Sequence, residues 1–581
     1  MAELEWRDFA PAVFDEARRR ERPVLIVLTK HWCPHSKALL EQSFASPEVL
    51  RACSDEWLTV KVDAERRPDV NERYGTGAWP SIAYVTPDGE LLAQDRFLDG
   101  AELADRLRRV ARYFRENRDR IRAGIESLWA QRENREELRA QRAGRLNRQI
   151  VEDVVAAIYE KFDHRYGGWG EGAKFPLPEA IDFALVMVGK RDEEHMREVV
   201  TLTLDRMMEG AIHDHVDGGF FRYSKTPDWR TPEFEKLLDA NAMRLRNYLE
   251  AWQLLGKPEY RAVAQGIVRW MREFMLDRDT GAFFGNQAAD PEYYALGATG
   301  RKSRRPPRVD RTIYTNANAT TVSALLKASV VLDDPGLRTQ AMTTLRFLLD
   351  HLYDAHDGVF HYWDGSYHLP GMLSDQAYLI RALIDASQHS GDADLLLPAE
   401  RIAEQAIARQ KAQGGGFWDI LHDQRQHGSM RRRNRSILEN SVMAEALLRL
   451  SLLSRRPEFH DEAVATLEAF VGDYKEYGYY VAGYGRAVDL IFYQPIAVTI
   501  VGDRDSAEAD ALRRAALAQY VPSRVVQMLD PAHDPILLGR SGFAVEAQPV
   551  AHIALGFEER AVARSPAELT QRMMEIERGR R

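Results

Sequence analysis

The stretch that decides the fold at the front of this chain is HWCPHSKALLEQSF, His31 to Phe44. It follows the apolar run VLIVL at 24–28, and helix-forming residues come after its cysteine. An apolar strand, a short Trp-Cys loop and a helix, in that order, are typical of a thioredoxin active site. Because the start of a helix offers free backbone N–H groups, this position favours the thiolate form of Cys33.

The residues that follow continue the thioredoxin pattern. LTVKVD at 58–63 predicts a second buried strand, and SIAYV at 81–85 with the turn TPDG at 86–89 predicts a β-hairpin. Pro80 precedes this hairpin directly, where thioredoxin-like folds place a cis-proline that faces the active cysteine. A helix over AELADRLRRVARYF then completes a predicted thioredoxin-like α/β domain at 1–115.

The second position of the expected cysteine pair is occupied by Ser36. A serine can hydrogen-bond a thiolate at Cys33, but it cannot resolve a mixed disulfide as the second thiol of a C-x-x-C pair does. We therefore predict a monothiol CxxS site that cannot act as a dithiol oxidoreductase, with Cys33, Ser36 and Pro80 as its catalytic candidates. The alternative is that Cys33 is a small buried hydrophobe, which is the role we expect for Cys53.

Composition and charge limit the remaining possibilities. The 581 residues carry a net charge of −9 with both signs mixed, which argues against nucleic acid as a partner. No apolar run approaches the roughly 18 residues that cross a membrane, and the start MAELEWRDF lacks a signal core. With two cysteines and no metal-ligand spacing, we expect a cytoplasmic protein without metal, cofactor or membrane partner.

Beyond a charged segment at 116–146, predicted to be a solvated connecting helix, the chain contains an internal repeat. A turn glycine followed by an aromatic residue recurs, with room for two amphipathic helices between copies. Six such helical hairpins predict an (α/α)6 toroid over 147–485, with a helical solenoid as the rival. The copies are YGGW (166–169), DGGF (217–220), TGAF (280–283), DGVF (357–360), GGGF (414–417) and EYGYY (476–480).

The candidate ligand site of such a toroid is the funnel where the turn ends meet. Carboxylates at facing helix starts could serve as acid and base on a sugar, and Glu235, Asp239, Asp375 and Glu439 fit that description. The alternative is that such residues are helix caps or solvated surface groups. The candidate substrate-binding residues are His215, Arg222, Tyr223, Lys236, Asn241, His361, Trp363, His368 and Asn440.

The last part of the chain, 486–581, changes character. The run from FYQPIAVTIV to SRVVQML predicts a strand, a loop, a helix and a second strand, which we expect to form a small βα unit packed on the toroid. Its loop, GDRDS, lacks the glycine spacing of a dinucleotide site, so it predicts no nucleotide cofactor.

These pieces together resemble thioredoxin-domain proteins similar to spermatogenesis-associated protein 20. The resemblance implies a multidomain α+β chain, a thioredoxin-like domain followed by an (α/α)6 barrel of the six-hairpin glycosidase and sugar-epimerase type. In several places the chain departs from the family: Glu439-Asn440-Ser441 stands at its Gly-Asn-Ser stretch, and the segment after TGAFFGN is shorter. Cys33-Pro34-His35-Ser36 replaces its usual Cys-His-Trp-Cys, and Glu233 stands at a common histidine. The matching pieces are CPHSKALLEQSF, VKVDAERRPDVNERY, WPSIAYVTPDGE, GGWGEGAKFPLPE, GGFFRYS, PEFEKLLDANA, LSDQAYLI and ENSVMAEALLRL.

Three functions stay open at this point. The toroid could bind or process a carbohydrate-like small molecule, as an epimerase or a glycosidase-like enzyme, with the thioredoxin-like domain as a structural or regulatory cap. Alternatively, Cys33 could form mixed disulfides with a thiol partner, or the chain could be a non-catalytic scaffold. Because Ser36 argues against dithiol turnover, we expect the centre of function at the turn end of the toroid.

Overall fold

The computed structural model describes residues 4–423 and 426–580, and the chain divides into two compact units. The first unit comprises 1–141 and 420–434, and the second comprises 142–419 and 435–581. Within the described stretches, no helix combines the length and the apolar character that a membrane crossing requires.

The first unit has a thioredoxin-like sheet. Its elements are α1 (Pro11–Arg20), β1 (Val24–Thr29), α2 (Pro34–Ala38), α3 (Pro47–Glu56), β2 (Leu58–Asp63), α4 (Pro68–Tyr74), β3 (Ser81–Val85), β4 (Leu91–Asp95), α5 (Gly100–Glu116) and α6 (Arg118–Gln141). The strand order is β2-β1-β3-β4, with β1 parallel to β2 and the other neighbours antiparallel. The predicted thioredoxin-like fold is confirmed, and the Trp79–Pro80 peptide bond is cis as expected.

Burial on both faces explains the apolar run that opens this sheet. Leu25 and Val27 of β1 pack in one cluster with residues of α3 and α5, whereas Val24 and Ile26 pack in a second cluster with α1 and α4. A strand covered on both faces has no side that can be polar, so it is a continuous hydrophobic stretch.

Residues 420–434 complete the first unit from a distant part of the chain. The Ser429 N–H donates to the Gly89 carbonyl over 3.0 Å, and the Arg431 guanidinium donates to Glu90 over 2.6 Å. The guanidinium of Arg73 donates to a backbone carbonyl of the same segment. The sequence contains no repeat or motif that predicted this long-range addition.

The second unit contains the toroid and the C-terminal region. Its helices are α7 (Gln149–Glu160), α8 (Pro178–Arg191), α9 (Glu194–Glu209), α10 (Leu238–Leu255), α11 (Pro258–Trp270), α12 (Pro291–Tyr294), α13 (Ala298–Lys302), α14 (Thr315–Val331), α15 (Pro335–His351), α16 (Leu373–Ser390), α17 (Leu396–Gln410), α18 (Ile437–Ser454), α19 (Pro457–Glu468), α20 (Ala482–Phe492), α21 (Ala507–Ala518), α22 (Pro535–Ser541) and α23 (Pro566–Arg578). Its strands are β5 (Tyr223–Ser224), β6 (Pro232–Glu233), β7 (Lys236–Leu237), β8 (Asn286–Gln287), β9 (Val309–Asp310), β10 (Ile313–Tyr314), β11 (Tyr353–Asp354), β12 (Gly358–Trp363), β13 (Tyr367–Pro370), β14 (Ile496–Val501), β15 (Arg524–Leu529), β16 (Val550–Leu555) and β17 (Glu558–Ala563).

The helices of this unit form the predicted (α/α)6 toroid. Six helices, α8, α10, α14, α16, α18 and α20, pack side by side as an inner ring that closes where α20 meets α8. Each packs against an outer helix, namely α9, α11, α15, α17 and α19 in turn, with α7 covering α20. The six-hairpin architecture is therefore confirmed, and the solenoid alternative is wrong because the ring closes on itself.

The glycine of the repeated turn allows a close approach to an outer helix. Gly218 has a φ of +86°, and a Cβ there would lie 2.1 Å from the carbonyl oxygen of Gly266 in α11. Gly415 approaches Ala465 of α19 in the same way, with a corresponding distance of 2.4 Å. Because no side chain fits these two positions, glycine is needed where these turns approach the outer helices.

The C-terminal region is a four-stranded sheet in the order β15-β14-β16-β17. β14 is parallel to β15 and antiparallel to β16, and β16 is antiparallel to β17, which repeats the path of the first unit's sheet. Pro549 precedes β16 just as Pro80 precedes β3. This sheet packs on the toroid, where the Gln388 side chain accepts from the Val526 N–H over 2.8 Å.

Candidate functional site

The inner ring encloses a cavity of about 70 Å³ near the first turns of its helices. All six inner helices contribute to the wall, so the site exists only when the ring has closed. Its lining is polar and charged at most positions, with carboxylates and guanidinium groups facing one another. The lining residues are Pro178, Glu179, Asp182, Ala242, Met243, Arg246, Asn247, Thr320, Ser323, Tyr378, Arg381, Ser441, Val442, Glu445, Gly483 and Arg486.

Three carboxylates are close enough to act on the phenol of Tyr378 at the mouth of this cavity. Burial raises the pKa of Tyr378, the Arg381 charge opposes the shift, and the negative charges of Glu179, Asp239 and Glu439 add to it. Asp239 and Glu439 are two of the predicted catalytic residues, and each lies in the first turn of its inner helix. The structure thus brings two of the four predicted carboxylates into one neighbourhood, together with Glu179, which was not predicted.

Glu179 is open to the cavity but enclosed by the helices of the ring. This enclosure raises the pKa of its carboxyl, and the nearby charge of Asp182 adds to the effect. The guanidinium of Arg381 opposes the shift and lies 4.7 Å from the centre of the Tyr378 ring. A carboxyl, a phenol and a guanidinium therefore line the same cavity, where they could hydrogen-bond to several hydroxyl groups of a ligand.

Two arginines, Arg246 and Arg486, line the cavity about one helical turn further into the ring. The Arg486 Nε lies 3.1 Å from an oxygen of Asp182, and an Arg246 nitrogen lies 3.7 Å from the other oxygen. These contacts join α8, α10 and α20 at the cavity wall.

Glu235 is buried, with 2% of its surface exposed. Its Oε2 atom has no hydrogen-bond partner in the part of the chain that the structure describes. Burial raises the pKa of this carboxyl, and the nearby Arg222 charge opposes the shift. Its side chain is enclosed in protein, unlike the carboxylates at the cavity mouth.

An aromatic surface is formed by the segment that precedes α8 and the segment that joins α9 to α10. Phe175 and Tyr223 stack with ring centres 4.5 Å apart and planes inclined by 15°, and Phe175 is 45% exposed. The Arg222 guanidinium lies 5.2 Å from the Tyr223 ring. Two predicted binding residues, Arg222 and Tyr223, therefore belong to an accessible aromatic patch, to which Phe175 is an unpredicted addition.

Asp375 is fully buried and forms a pair with another predicted residue. Its Oδ2 lies 2.8 Å from the Nδ1 of His361, and its Oδ1 accepts from the backbone N–H of Asn316 over 3.1 Å. Burial raises the pKa of Asp375, and the His361 charge opposes this. The pair ties β12 to α14 and α16, so its contacts place these residues behind the cavity wall.

Asn241 and Asn440 hold the repeated turns in place. The Asn241 side chain accepts from the Phe220 N–H over 2.7 Å and donates to the Phe220 and Leu237 carbonyls. Asn440 makes the same contacts with Phe417 and Ser436. Because both amides are buried and both their N–H groups are donated to backbone, these predicted binding residues are turn-holding residues in this structure.

Lys236 is fully buried in an ion network. Its ammonium donates to Asp214 and to the Gly218 carbonyl, each over 2.7 Å. Arg301 of α13 contacts both oxygens of Asp214 over 2.8 Å and also reaches Asp217. Burial lowers the pKa of Lys236 to about 8, with Asp214 opposing the shift. The network fixes the second turn from within, and Arg301 was not predicted.

The other three predicted binding residues lie apart from the cavity lining. His215 is exposed and contacts the ring of His213. Trp363 packs against Phe347 and His351 of an outer helix, and His368 lies on the β12–β13 hairpin. All three lie next to a glycine-aromatic turn in the sequence, but none of them lines the cavity inside the ring.

In the first unit, Cys33 precedes α2 and is buried, with its Sγ 3.6 Å from the Trp79 carbonyl oxygen. Pro80 follows Trp79 directly, so the predicted cysteine and proline are brought together. The Ser36 Oγ accepts from the Lys30 N–H over 3.2 Å. Both cysteines are free, and burial raises the pKa of Cys53 to about 12.

A potential metal-binding group lies on the exposed turn between β11 and β12. Asp354, His356 and Asp357 bring their ligand atoms together there. The Asp354 Oδ1 already accepts from the N–H groups of His356 and Asp357 over 2.7 and 2.8 Å. These contacts describe an ordinary aspartate-held turn, and they point to no metal.

The central residues that sequence reasoning missed are Glu179, Tyr378 and Arg381. The available signal was weak. Glu179 follows a proline at a helix start, and Tyr378 and Arg381 lie three residues apart in LSDQAYLIRAL. Helical spacing places such residues on one face, but only the closed ring determines which face meets the axis.

Comparison with known proteins gives the same two-part description. Residues 2–133 match the family model Thioredox_DsbH, described as a protein of unknown function, DUF255. The chain is 24% identical to human (Homo sapiens) spermatogenesis-associated protein 20 over 91% of its own length and 84% of that protein. It is also 26% identical to uncharacterized protein B0495.5 of Caenorhabditis elegans, over 49% of this chain and 41% of that protein. The predicted resemblance is therefore confirmed.

Solved structures similar to the toroid include two sugar epimerases. Cellobiose 2-epimerase from Spirochaeta thermophila DSM 6192 is 15% identical, with a TM-score of 0.46 over 59% of this chain and 98% of that one. A sugar epimerase from a ruminal bacterium is 12% identical, with a TM-score of 0.48 over the same shares.

Proposed function

We propose that the toroid binds a carbohydrate-like polyol in the cavity of its inner ring and carries out acid–base chemistry on it. The observation that carries this proposal is the cavity wall itself, to which all six inner helices contribute polar side chains. A polyol presents many hydroxyl groups in fixed directions, so a wall that surrounds it with donors and acceptors is suited to bind it.

The acid–base groups in this proposal are Glu179, Asp239 and Glu439. The raised pKa of Glu179 suits it to hold a proton and give it to a ligand oxygen. A carboxylate at Asp239 or Glu439, in the first turn of a facing helix, would then take a proton from the ligand. Asp375 and His361 act indirectly in this scheme, because they position the starts of α14 and α16.

The test is a thermal-shift and calorimetric screen of neutral mono- and disaccharides with the full chain. Glu179→Gln and Tyr378→Phe should weaken binding of any hit by about tenfold, which is the effect of losing one or two ligand hydrogen bonds. Glu259→Gln is the matched control, because Glu259 also follows a proline at a helix start and is likewise exposed, but lies on outer helix α11 and does not line the cavity. A screen without a stabilising sugar, or an equal effect of Glu259→Gln, would sink the proposal.

For the first unit we propose that Cys33 does not take part in a dithiol cycle. The Ser36 hydroxyl stands where a resolving thiol would be needed, and Cys33 itself is buried. An insulin-reduction assay with dithiothreitol as the electron source should show no turnover by the natural chain. Measurable turnover there would contradict the proposal, and Ser36→Cys serves as the positive control.

A further inference from the structure

A second cavity of about 100 Å³ lies deeper in the toroid. It begins where the first cavity ends, because Arg246, Ser323, Glu445 and Arg486 line both. Its walls come from the following turns of the inner helices, and its floor is residues 517–525, which lead from α21 into β15. A ligand in the first cavity could therefore extend one group into the second.

The deeper cavity has more cations than carboxylates, even when Asp182 of the first cavity, which pairs with Arg486, is counted among the carboxylates. Its lining contains five cationic side chains and three carboxylates. Two of the carboxylates are already paired. Glu250 lies 2.9 Å from the Lys327 ammonium and 3.2 Å from Arg246, and Asp385 pairs with Arg449.

Arg524 carries much of the excess charge. Its guanidinium donates to the carbonyls of Ala516 and Gln519, and among the described residues it forms no ion pair. Burial lowers the pKa of Arg524 to about 10, with the Glu250 charge opposing the shift and the Arg449 charge adding to it. Because Arg524 forms no ion pair of its own among the described residues, a further anion close to it would be stabilised.

Several buried hydrogen-bond donors of this cavity lack a partner. In the described part of the chain, these atoms are the NH1 of Arg486, the phenol oxygen of Tyr520, the Oγ of Ser523 and the Nδ1 of His389. Arg486, Ser523 and His389 are each more than nine-tenths buried. Burial lowers the pKa of His389 to about 3, so its neutral ring can donate from one nitrogen. Unpartnered donors in a cationic cavity are the arrangement that an oxyanion satisfies.

We propose that the deeper cavity binds the phosphate group of a phosphorylated carbohydrate, with Arg486, Tyr520, Ser523 and Arg524 as its contacts and the sugar in the first cavity. The inference deepens the proposed function and rests on it for the sugar, whereas the phosphate contacts stand on the second cavity alone. It also gives the C-terminal region a direct part in ligand binding, because that region supplies three of the four contacts.

The experiment measures binding of inorganic phosphate, glucose and glucose 6-phosphate to the full chain at matched ionic strength, with sodium chloride as the reference. Tyr520→Phe and Ser523→Ala are informative variants, because each removes a hydroxyl that no described protein atom uses. Each should weaken phosphate binding by about tenfold. Tyr353→Phe is the matched control, since the Tyr353 hydroxyl is likewise buried and unpartnered but lies outside the cavity.

The outcomes separate this inference from the proposed function. If phosphate stabilises the chain no more than chloride, or if Tyr520→Phe behaves like Tyr353→Phe, the cationic side chains merely neutralise the nearby helix ends and the inference is wrong. A neutral-sugar response without a phosphate response leaves the proposed function standing and overturns this one. Phosphate binding that gains nothing from the attached sugar overturns the assignment to a phosphorylated carbohydrate. Tighter binding of glucose 6-phosphate than of either part supports it.

Discussion

The turn-holding asparagines allow a quantitative test of how the ring is held together. Asn318 in α14 is the third member of the set, fully buried and not predicted from the sequence. It accepts from the Phe283 N–H over 2.8 Å and donates to the Phe283 and Tyr314 carbonyls over 2.9 Å each. Asn318→Ala leaves one N–H and two carbonyls buried without partners.

The cost follows from these three groups. An unsatisfied buried polar group costs about 1–3 kcal/mol, so the variant should lose roughly 3–9 kcal/mol of unfolding free energy. The second unit has roughly 400 residues, and unfolding entropy is about 2.1 cal/mol/K per residue. If the unit unfolds cooperatively, its melting temperature should fall by about 4–11 °C.

The assay is differential scanning calorimetry of the full chain, with Asn316→Ala as the matched control. Asn316 lies in the same helix and is only partly buried, and its side-chain oxygen accepts from the adjacent Ala317 N–H. We expect that control to shift the melting temperature by about 1 °C or less. Equal shifts for the two variants would refute the idea that these amides hold the turns.

Three further predictions concern titratable groups. Burial, with help from the His215 charge, lowers the pKa of His213 to about 4. As the pH falls from about 6.5 to 4, the His213 side chain is therefore protonated in the unfolded chain before it is protonated in the folded chain, and this destabilises the fold. Melting curves over this pH range should show a smaller loss of stability for His213→Gln, which lacks this group, than for His460→Gln, which keeps it. Burial raises the pKa of Glu235, so ionising this carboxyl costs stability at neutral pH. Glu235→Gln should therefore raise the melting temperature at about pH 8, and this gain should shrink as the pH falls towards about 4.5. The same gain at every pH would contradict this prediction. Because burial raises the pKa of Cys53 to about 12, mass spectrometry should find it unmodified by iodoacetamide in the native chain and modified in urea.

Local patterns predicted the sheet of the first unit well. The expected strands at 58–63 and 81–85 coincide with β2 and β3, because apolar runs bounded by turn residues determine such strands locally. The glycine-aromatic repeat likewise predicted the ring, since each copy terminates a hairpin in the same way. The segment at 420–434 has no such local signature, because its contacts are with residues more than 300 positions away.

The candidate site was harder to predict for a geometric reason. Asp375 and Tyr378 lie one turn apart in α16, yet Asp375 bonds to His361 whereas Tyr378 lines the cavity. Sequence spacing shows that two residues share a helical face, but the rotation of the helix within the ring decides what that face meets. The sequence therefore predicted that carboxylates near the turns would be candidate site residues. Which carboxylate lines the cavity depends on tertiary packing, as Glu179 shows.

The C-terminal sheet offers a physical reason for the shape of the whole site. Six inner helices form a ring that is open at both ends unless another element covers one of them. The C-terminal region covers the far end through Gln388, which accepts from Val526, and through Arg486, which donates to the Pro522 carbonyl over 2.9 Å. A covered end converts a channel into a pocket, in which water is excluded and each charge acts more strongly. The same segment places Arg524 in the lining of this covered end, so the region that covers the ring also contributes to the cationic character of the pocket base.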